Sequence, residues 1–492
     1  MDFTITLDSQ AVSDSPQRNL PLHQKLYEEI RRAILEGRLL PRQKLPSTRA
    51  LAQSLEISRS TVTQSYEQLL SEGYLETTAG SGTFVGAQLP DDLLRAPSVE
   101  LSDKLNHPAV KLSTYAAQLA ETEVPWTPET QAPINFRYGR PALELFPLEL
   151  WRKLLSRHCR AQSGWLDYST DPLGYQPLRE AIARYLDRAR AVQCEPNQIL
   201  ITNGTQQALN LIARLLLDPG DTVAMEDPGY LSARRVFLSQ GAKILPIAVD
   251  ASGLVVQELL NNSTEEIRLV YITPSHQFPT GATLSLSRRL ELLAWAEQTG
   301  TILIEDDYDS EYRYGDRPIP ALQGLGHSQS VFYIGTFSKV LFPSLRIGYL
   351  VLPPNLVSLF GRAKWLNDRH LPILEQQVLT DFMEEGHLER HIRKMRFYYE
   401  QCRQILVQSL KTHFQERVTI LGDKAGIHLM VQLHTHLSDQ EIIQRAAQVG
   451  IGLLSAQPHY LKANGSGAFI LGYAELTPQQ IEIGIQKWAQ VL

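Results

Sequence analysis

Cysteine is nearly missing from this chain: three residues in 492, at Cys159, Cys194 and Cys402. They are odd in number and far apart, so they cannot all pair. No C-x-x-C or Cys/His metal spacing occurs, which excludes a disulfide scaffold and a zinc finger. A reducing cytosol is the expected home, and no metal is expected. Long apolar runs are lacking as well. The stretch ALNLIARLLL is cut by Arg214 and followed by DPG, so no membrane span is expected. The N-terminus MDFTITLDSQ has no basic or apolar signal region. A surplus of positive charge is absent too: 47 Lys and Arg stand against 53 Asp and Glu, a net charge of −6. The total alone therefore gives no long-range attraction to nucleic acid. Neither repeats nor low-complexity tracts occur.

What is present is 43% apolar residues, enough for two or three domains with full cores. The pattern divides the chain into a head at 20–86, a linker at 87–131 and a body at 132–492. In the head, Leu22, Leu26, Ile30, Ile34 and Leu35 recur with a period near 3.6. A second helix starts after LPS, with Ser47 or Thr48 as N-cap. Ser58 caps a third, carrying Val62, Tyr66, Leu69 and Leu70, and Gly73 ends it. YLETTAGSGTFV then reads as two short strands around a glycine-rich turn.

From Pro21 to Gly86 eight Lys and Arg meet seven Glu, so the head is +1 and the remainder −7. The third helix opens with Ser58-Arg59-Ser60-Thr61, a polar turn able to offer donors to bases and phosphates. Arg49 sits early on the preceding helix, placed for a phosphate or a guanine. The AGSGT turn is small enough for a minor groove. Five prolines punctuate the linker, where one short helix at most is expected; a flexible segment of that length spans roughly 35–40 Å.

The body alternates strands and helices: QILITNG, DTVAMEDPG, IRLVYITPS, TILIEDDYD, VFYIGTFSK and LRIGYLVLP are short apolar runs that end in turn or polar signals. This is the pattern of a parallel α/β sheet with ligands at the strand ends. A smaller α+β subdomain is expected from about 376. Lys339 follows one strand, with Thr336 and Ser338 before it and Arg346 seven residues on, and a planar guanidinium suits a phosphate dianion. Asp306 ends another strand, two residues before Tyr308. Gly204-Thr205 opens a helix after ILITN, a turn that lets backbone N–H groups approach an anion. Tyr230 in EDPGY follows a further strand. A reactive amine, a buried acid, an aromatic platform and a phosphate cup are the parts of a pyridoxal 5'-phosphate site.

Three resemblances sharpen these readings. The run from PLHQKLYEEI to GSGTFV resembles the winged-helix domain of the GntR superfamily of repressors. That resemblance implies that Arg49, Arg59, Ser60 and Thr61 contact double-stranded operator DNA, with Gly80 and Gly82 at the wing tip. The order Tyr168, NGTQQAL, EDPGY, PSHQFPTG, EDDYD and GTFSK-x6-R resembles the fold-type-I aminotransferases over about 360 residues. It implies that Lys339 takes the cofactor's aldehyde, Asp306 pairs with the ring nitrogen and Tyr308 with the ring oxygen. Gly204, Thr205, Ser338 and Arg346 then hold the phosphate, Tyr230 lies against the ring, and Tyr168 reaches a neighbouring subunit's phosphate in a homodimer. The whole chain resembles the MocR regulators, in which the body senses an amine, an amino acid or the cofactor itself. A working aminotransferase with an appended DNA-binding domain is the alternative, with transamination weak or secondary.

Two positions depart from the aminotransferase pattern. Phe278 stands where Asn precedes Pro-Thr-Gly, leaving Ser275, His276 or Gln277 to serve the ring oxygen. Ile470 occupies the slot of the arginine that grips a substrate carboxylate, for which Arg234 or Arg140 are the substitutes at hand.

Overall fold

Leu26, Ile30 and Ile34 recur along one face of the first helix of the computed structural model, α1 (Leu22–Leu35), and all three are buried. Described are residues 20–78, 80–91, 110–120, 122, 132–160, 166–168, 171–262, 266–315, 319–326, 330–462 and 465–492. Much of the predicted linker lies outside them. The chain forms two compact units, Met1–Val110 and Lys111–Leu492.

In the first unit, α2 (Thr48–Ser54) is capped by Ser47, whose Oγ accepts from the Ala50 N–H. Ser58 caps α3 (Arg59–Ser71) in the same way, through the Thr61 N–H. The cap choice left open between Ser47 and Thr48 thus falls on Ser47, whose extended backbone leaves its hydroxyl free to turn back. Gly73 takes a φ of +82°, which breaks the helix and sends the chain into β1 (Leu75–Thr78) and its antiparallel partner β2 (Gly82–Val85). Leu51, Val62, Leu69 and Val85 close a core with α1. A short bridge from Lys44 to Phe84 ties the segment before α2 to the ribbon.

The second unit is built on one sheet. Its strands in chain order are β3 (Ile199–Thr202), β4 (Thr222–Asp227), β5 (Lys243–Asp250), β6 (Gly253–Leu254), β7 (Ile267–Ile272), β8 (Ile302–Asp307), β9 (Val331–Thr336) and β10 (Gly348–Val351). They lie side by side as β3-β10-β9-β8-β7-β4-β5-β6. All six apolar runs read from the sequence are strands. The expected parallel sheet is mixed, however: β10 runs antiparallel to both β3 and β9. Only residues 337–347 join β9 to β10, too few for the crossover helix that a parallel pair requires. The sequence reading passed over β5, because this near-edge strand is only partly buried and Pro246 interrupts it.

β6 also runs antiparallel to its neighbour β5. The remaining six strands share one direction, so the C-terminal ends of β3, β4, β7, β8 and β9 meet at one edge. There Tyr333 and Arg190 both bind Asp307 Oδ2, at 2.6 and 2.7 Å. The C-terminal part has its own core, from Met395 onward along the helix His387–Phe414 and under a four-stranded antiparallel sheet. Ile134 and Phe136 join that core, whereas the helix Ile373–Glu384 packs into the core beneath β3 and β10.

Leu69 of α3 is fully buried in the core shared with α1. Leu69→Ala should cost about 2–5 kcal/mol. Calorimetry of the full chain should show the small unit's transition lowered and the large unit's unmoved.

Candidate functional site

Five strand ends supply the walls of one cavity of about 610 Å³ in the large unit. Asp306 comes from the end of β8 and is buried. Its Oδ2 accepts from the Tyr271 hydroxyl at 2.7 Å, and its Oδ1 has no hydrogen-bond partner among the described residues. Burial pushes its carboxyl up to about 7, with the Tyr271 hydrogen bond acting against it. Lys339 follows β9, and its Nζ donates to the Gly139 carbonyl at 2.7 Å. Burial holds its ammonium below the ordinary lysine range. A Cβ on Gly139 would stand 3.0 Å from Nζ, so glycine admits the amine here.

At another wall, Gly204 takes a φ of +73° and delivers the chain into the helix Thr205–Leu216. Arg346 lies against this turn. Its Nη2 donates to the Asn203 carbonyl at 2.9 Å, and a Cβ on Gly204 would sit 2.9 Å from that nitrogen. A guanidinium, a helix N-terminus and the Ser338 and Thr336 hydroxyls thus line one end of the cavity, the chemistry of a phosphate cup. Tyr230 lines the cavity too, edge-on to Phe278 at 5.7 Å. Tyr308 donates its hydroxyl hydrogen to the His276 carbonyl at 3.0 Å.

All the cavity residues read from the sequence therefore meet, except Tyr168. Its ring is 74% exposed and lies 5.6 Å from the Arg369 guanidinium, outside the cavity wall. The two neighbouring acids are buried and paired: Asp307 with Arg190, and Asp309 with His276 at 2.9 Å. Ile470 is buried in an apolar cluster with Phe278 and Met430. Arg140 lines the cavity, whereas Arg234 donates to the carbonyls of Pro458 and His459 and does not. Tyr271, Gly139 and His428 were not singled out from the sequence. Tyr271 is one more aromatic in a buried strand, and the other two lie far along the chain from Lys339.

The cavity fits pyridoxal phosphate on its own terms. A buried carboxylate oxygen without a partner calls for a cationic or N–H donor, and the phosphate cup, the amine and an aromatic wall border the same space.

In the small unit, Arg49, Arg59 and Ser60 are exposed and Thr61 half-buried. Ser58 Oγ lies 2.8 Å from Ser60 Oγ and 2.7 Å from Thr61 Oγ1, which orders the first turn of α3. Gly80 and Gly82 form the exposed turn, with φ of +80° and +117°. The modest charge of the head is unevenly used. Arg32 and Arg38 pair with glutamates of the α1 region, and Arg31 with Asp91. Arg49 and Arg59 have no acidic partner among the described residues. Lys44, absent from the sequence reading, stands beside the ribbon with its Nζ 5.9 Å from the Phe84 ring centre.

Comparison with known proteins follows the same division. Residues 132–487 match the family described as aminotransferase class I and II, and residues 22–85 the bacterial regulatory proteins of the gntR family. The probable rhizopine catabolism regulatory protein MocR of Rhizobium meliloti is 38% identical over 95% of this chain and 93% of its own length. The pyridoxine biosynthesis transcriptional regulator PdxR of Corynebacterium glutamicum is 32% identical over 80% of each. Among solved structures, the α-aminoadipate aminotransferase LysN of Thermus thermophilus, complexed with N-(5'-phosphopyridoxyl)-L-leucine, is similar with a TM-score of 0.68. It is 28% identical and covers 77% of this chain and 94% of that one.

The raised carboxyl of Asp306 makes a pH prediction. Its proton is held up to about 7 in the fold, against an ordinary value of 3.8. The associated stability is whole below about pH 4 and is lost as pH rises through 7. In protein dialysed free of small ligands, Asp306→Asn should therefore be more stable than the parent at pH 8, by on the order of 1 kcal/mol or more. Thermal unfolding at both pH values checks this, and the advantage should vanish at pH 4.

Proposed function

This chain belongs to the aminotransferase class I and II family, with a gntR-family domain at its head, and from that premise we propose that ligand capture at Lys339 governs DNA binding by the head. The protein is a DNA-binding transcriptional regulator with an aminotransferase-like domain, and its cofactor is pyridoxal 5'-phosphate. One observation carries the proposal: Lys339 Nζ and the partnerless Asp306 Oδ1 border the same cavity in a chain that also carries a DNA-binding domain.

When bound, the cofactor supplies an aldehyde that condenses with amines and a pyridine ring that withdraws electrons. The residues have separable tasks. Lys339 provides the amine, and burial favours the neutral form that attacks an aldehyde. Asp306 Oδ1 accepts the hydrogen of the ring nitrogen and keeps it protonated. Tyr308 donates its hydroxyl hydrogen to the ring oxygen. The N–H groups at Gly204 and Thr205, the Ser338 hydroxyl and Arg346 hold the phosphate. Tyr230 covers one side of the ring.

The effector is an amine, an amino acid or the cofactor itself. With the cofactor bound, an amine that took the place of Lys339 would leave its side chain free, and a difference of this kind would favour one of two arrangements of the body. Ile470 leaves the C-terminal slot without a cation, so an effector carboxylate falls to Arg140. A homodimer presents two heads to two operator half-sites. The exposed Tyr168 supports that assembly, as a side chain that does not line its own cavity. No helix among the described residues is long and apolar enough to cross a membrane, and we place the protein in the cytoplasm with its DNA. The second reading, an active aminotransferase, is supported by the full set of Lys339, Asp306, Tyr308 and Arg346 in one cavity.

Visible absorption during titration with a panel of amines and amino acids tests the body. A cofactor band is expected, shifted by the effector. Lys339→Ala should lose that shift and the effector's influence on operator binding, while still binding DNA; an unchanged effector response overturns the proposal. Steady accumulation of the cofactor's amine form with a keto acid as acceptor favours the enzyme reading. For the head, Arg49→Ala and Arg59→Ala should each weaken operator binding by about 1–3 kcal/mol, roughly fivefold to a hundredfold. Loss at one base position marks base readout, and uniform loss with a shallower salt slope marks phosphate contact.

A further inference from the structure

Phe278 brings only carbon to the wall beside Tyr308, its ring 5.1 Å from Tyr138 and 5.3 Å from His428. Two of its polar neighbours are already engaged. Ser275 Oγ accepts from Arg190 at 2.6 Å. Gln277 donates to the carbonyls of Pro228 and Phe278 and accepts from Thr280. His276 is different. It is buried, and its Nδ1 lies 2.9 and 3.0 Å from the two carboxylate oxygens of Asp309 and 3.0 Å from the Tyr308 hydroxyl oxygen.

These distances assign the protons. A carboxylate accepts and does not donate, so Nδ1 carries the hydrogen. The Tyr308 oxygen faces that N–H and can only accept from it. Its own hydrogen is directed elsewhere, here to the His276 carbonyl. The imidazole has little room to turn. A Cβ on Gly426 would lie 2.0 Å from His276 Cε1 and 2.6 Å from Asp309 Oδ2, and one on Gly281 would lie 3.1 Å from Nε2. Asp309 Oδ2 also accepts from the Ile427 N–H at 3.3 Å. The titratable groups facing this edge are Tyr308 and Asp309 after β8 and His428 on the C-terminal sheet. Asp306, Asp307 and Glu226 act on Tyr308 from β8 and β4, and Lys339 acts on His428 from beyond β9.

We propose that His276 is a positioning residue for Tyr308: Asp309 fixes its Nδ1 hydrogen, that N–H occupies the phenol oxygen, and the phenol hydrogen is thereby left to point at the ring oxygen of the bound cofactor. This rests on the reading of Tyr308 as the partner of the ring oxygen. An N–H donated to a phenol oxygen makes the phenol a stronger donor in turn. Without it, the ring oxygen keeps more negative charge and holds a neighbouring proton to higher pH. Asparagine places its amide nitrogen where the imidazole Nδ1 stands; glutamine places it one bond farther out. Asparagine should therefore preserve the relay and glutamine should break it.

The test is the pH dependence of the visible cofactor band in the full-length, cofactor-loaded protein. His276→Gln should raise the midpoint by about half a pH unit or more, with His276→Asn close to the parent. In a Tyr308→Phe background, His276→Gln should add nothing. Equal midpoints in the parent, Asn and Gln proteins overturn the proposal, and so does an undiminished Gln shift in the Tyr308→Phe background. A parent protein with no band overturns the cofactor-site reading and this proposal with it. Should His276→Gln fail to fold, proton NMR of the parent decides: a downfield imidazole N–H that moves on cofactor loading supports the relay, and one that is absent or unmoved refutes it.

Discussion

A buried carboxylate oxygen without a partner among the described residues, in the wall of the cavity, is the constraint on which the large unit turns. Asp306 Oδ1 sits where water is scarce, and burial there raises its carboxyl toward neutrality. A fold tolerates such a group only if the surrounding structure holds it. Tyr271 supplies one hydrogen bond from the neighbouring strand, while Arg190 and Tyr333 bind the adjacent Asp307 on the other side of β8. The sheet thus anchors one acid of the pair and leaves the other open toward the cavity. On the proposed reading a protonated ring nitrogen is the partner for Oδ1, and cofactor binding and the stability of this unit should then be coupled.

The sheet topology explains how distant segments converge. Parallel strands bring their C-terminal ends to one edge, and the chain departs from each end through a short turn. Asp306, Lys339, Gly204 and Tyr230 leave four different strands in this way. The reversal at β10 completes the cup, because the short return from β9 places Arg346 at the mouth of the Gly204 turn. The C-terminal sheet then adds His428, and the segment before the main sheet adds Gly139.

In the small unit, the same economy governs charge. Three of its arginines are tied to acids on or near α1, and the exposed Arg49 and Arg59 are not. A nearly neutral domain can therefore still present a cationic face. Local arrangement decides this where the total charge does not.

The sequence by itself determined the helices and ribbon of the head with the Ser58 cap and the glycine turns, six of the eight strands of the main sheet, and the identity of the residues at the strand ends. These are local properties: periodicity, capping chemistry and short motifs act within a few residues of one another. The tertiary structure decided what pairing across the chain decides. It set the direction of β10, the partnership of Tyr271 with Asp306, and the approach of Gly139 to Lys339 across 200 positions. It also gave Ser275, His276 and Gln277 different partners. These three neighbours are equivalent as polar residues in a row, and only the folded chain gives Arg190 to the first, backbone carbonyls to the third, and Asp309 with Tyr308 to the one between. Hydrogen bonding is a matter of ångströms between groups far apart in sequence, and no pattern along the chain encodes those distances.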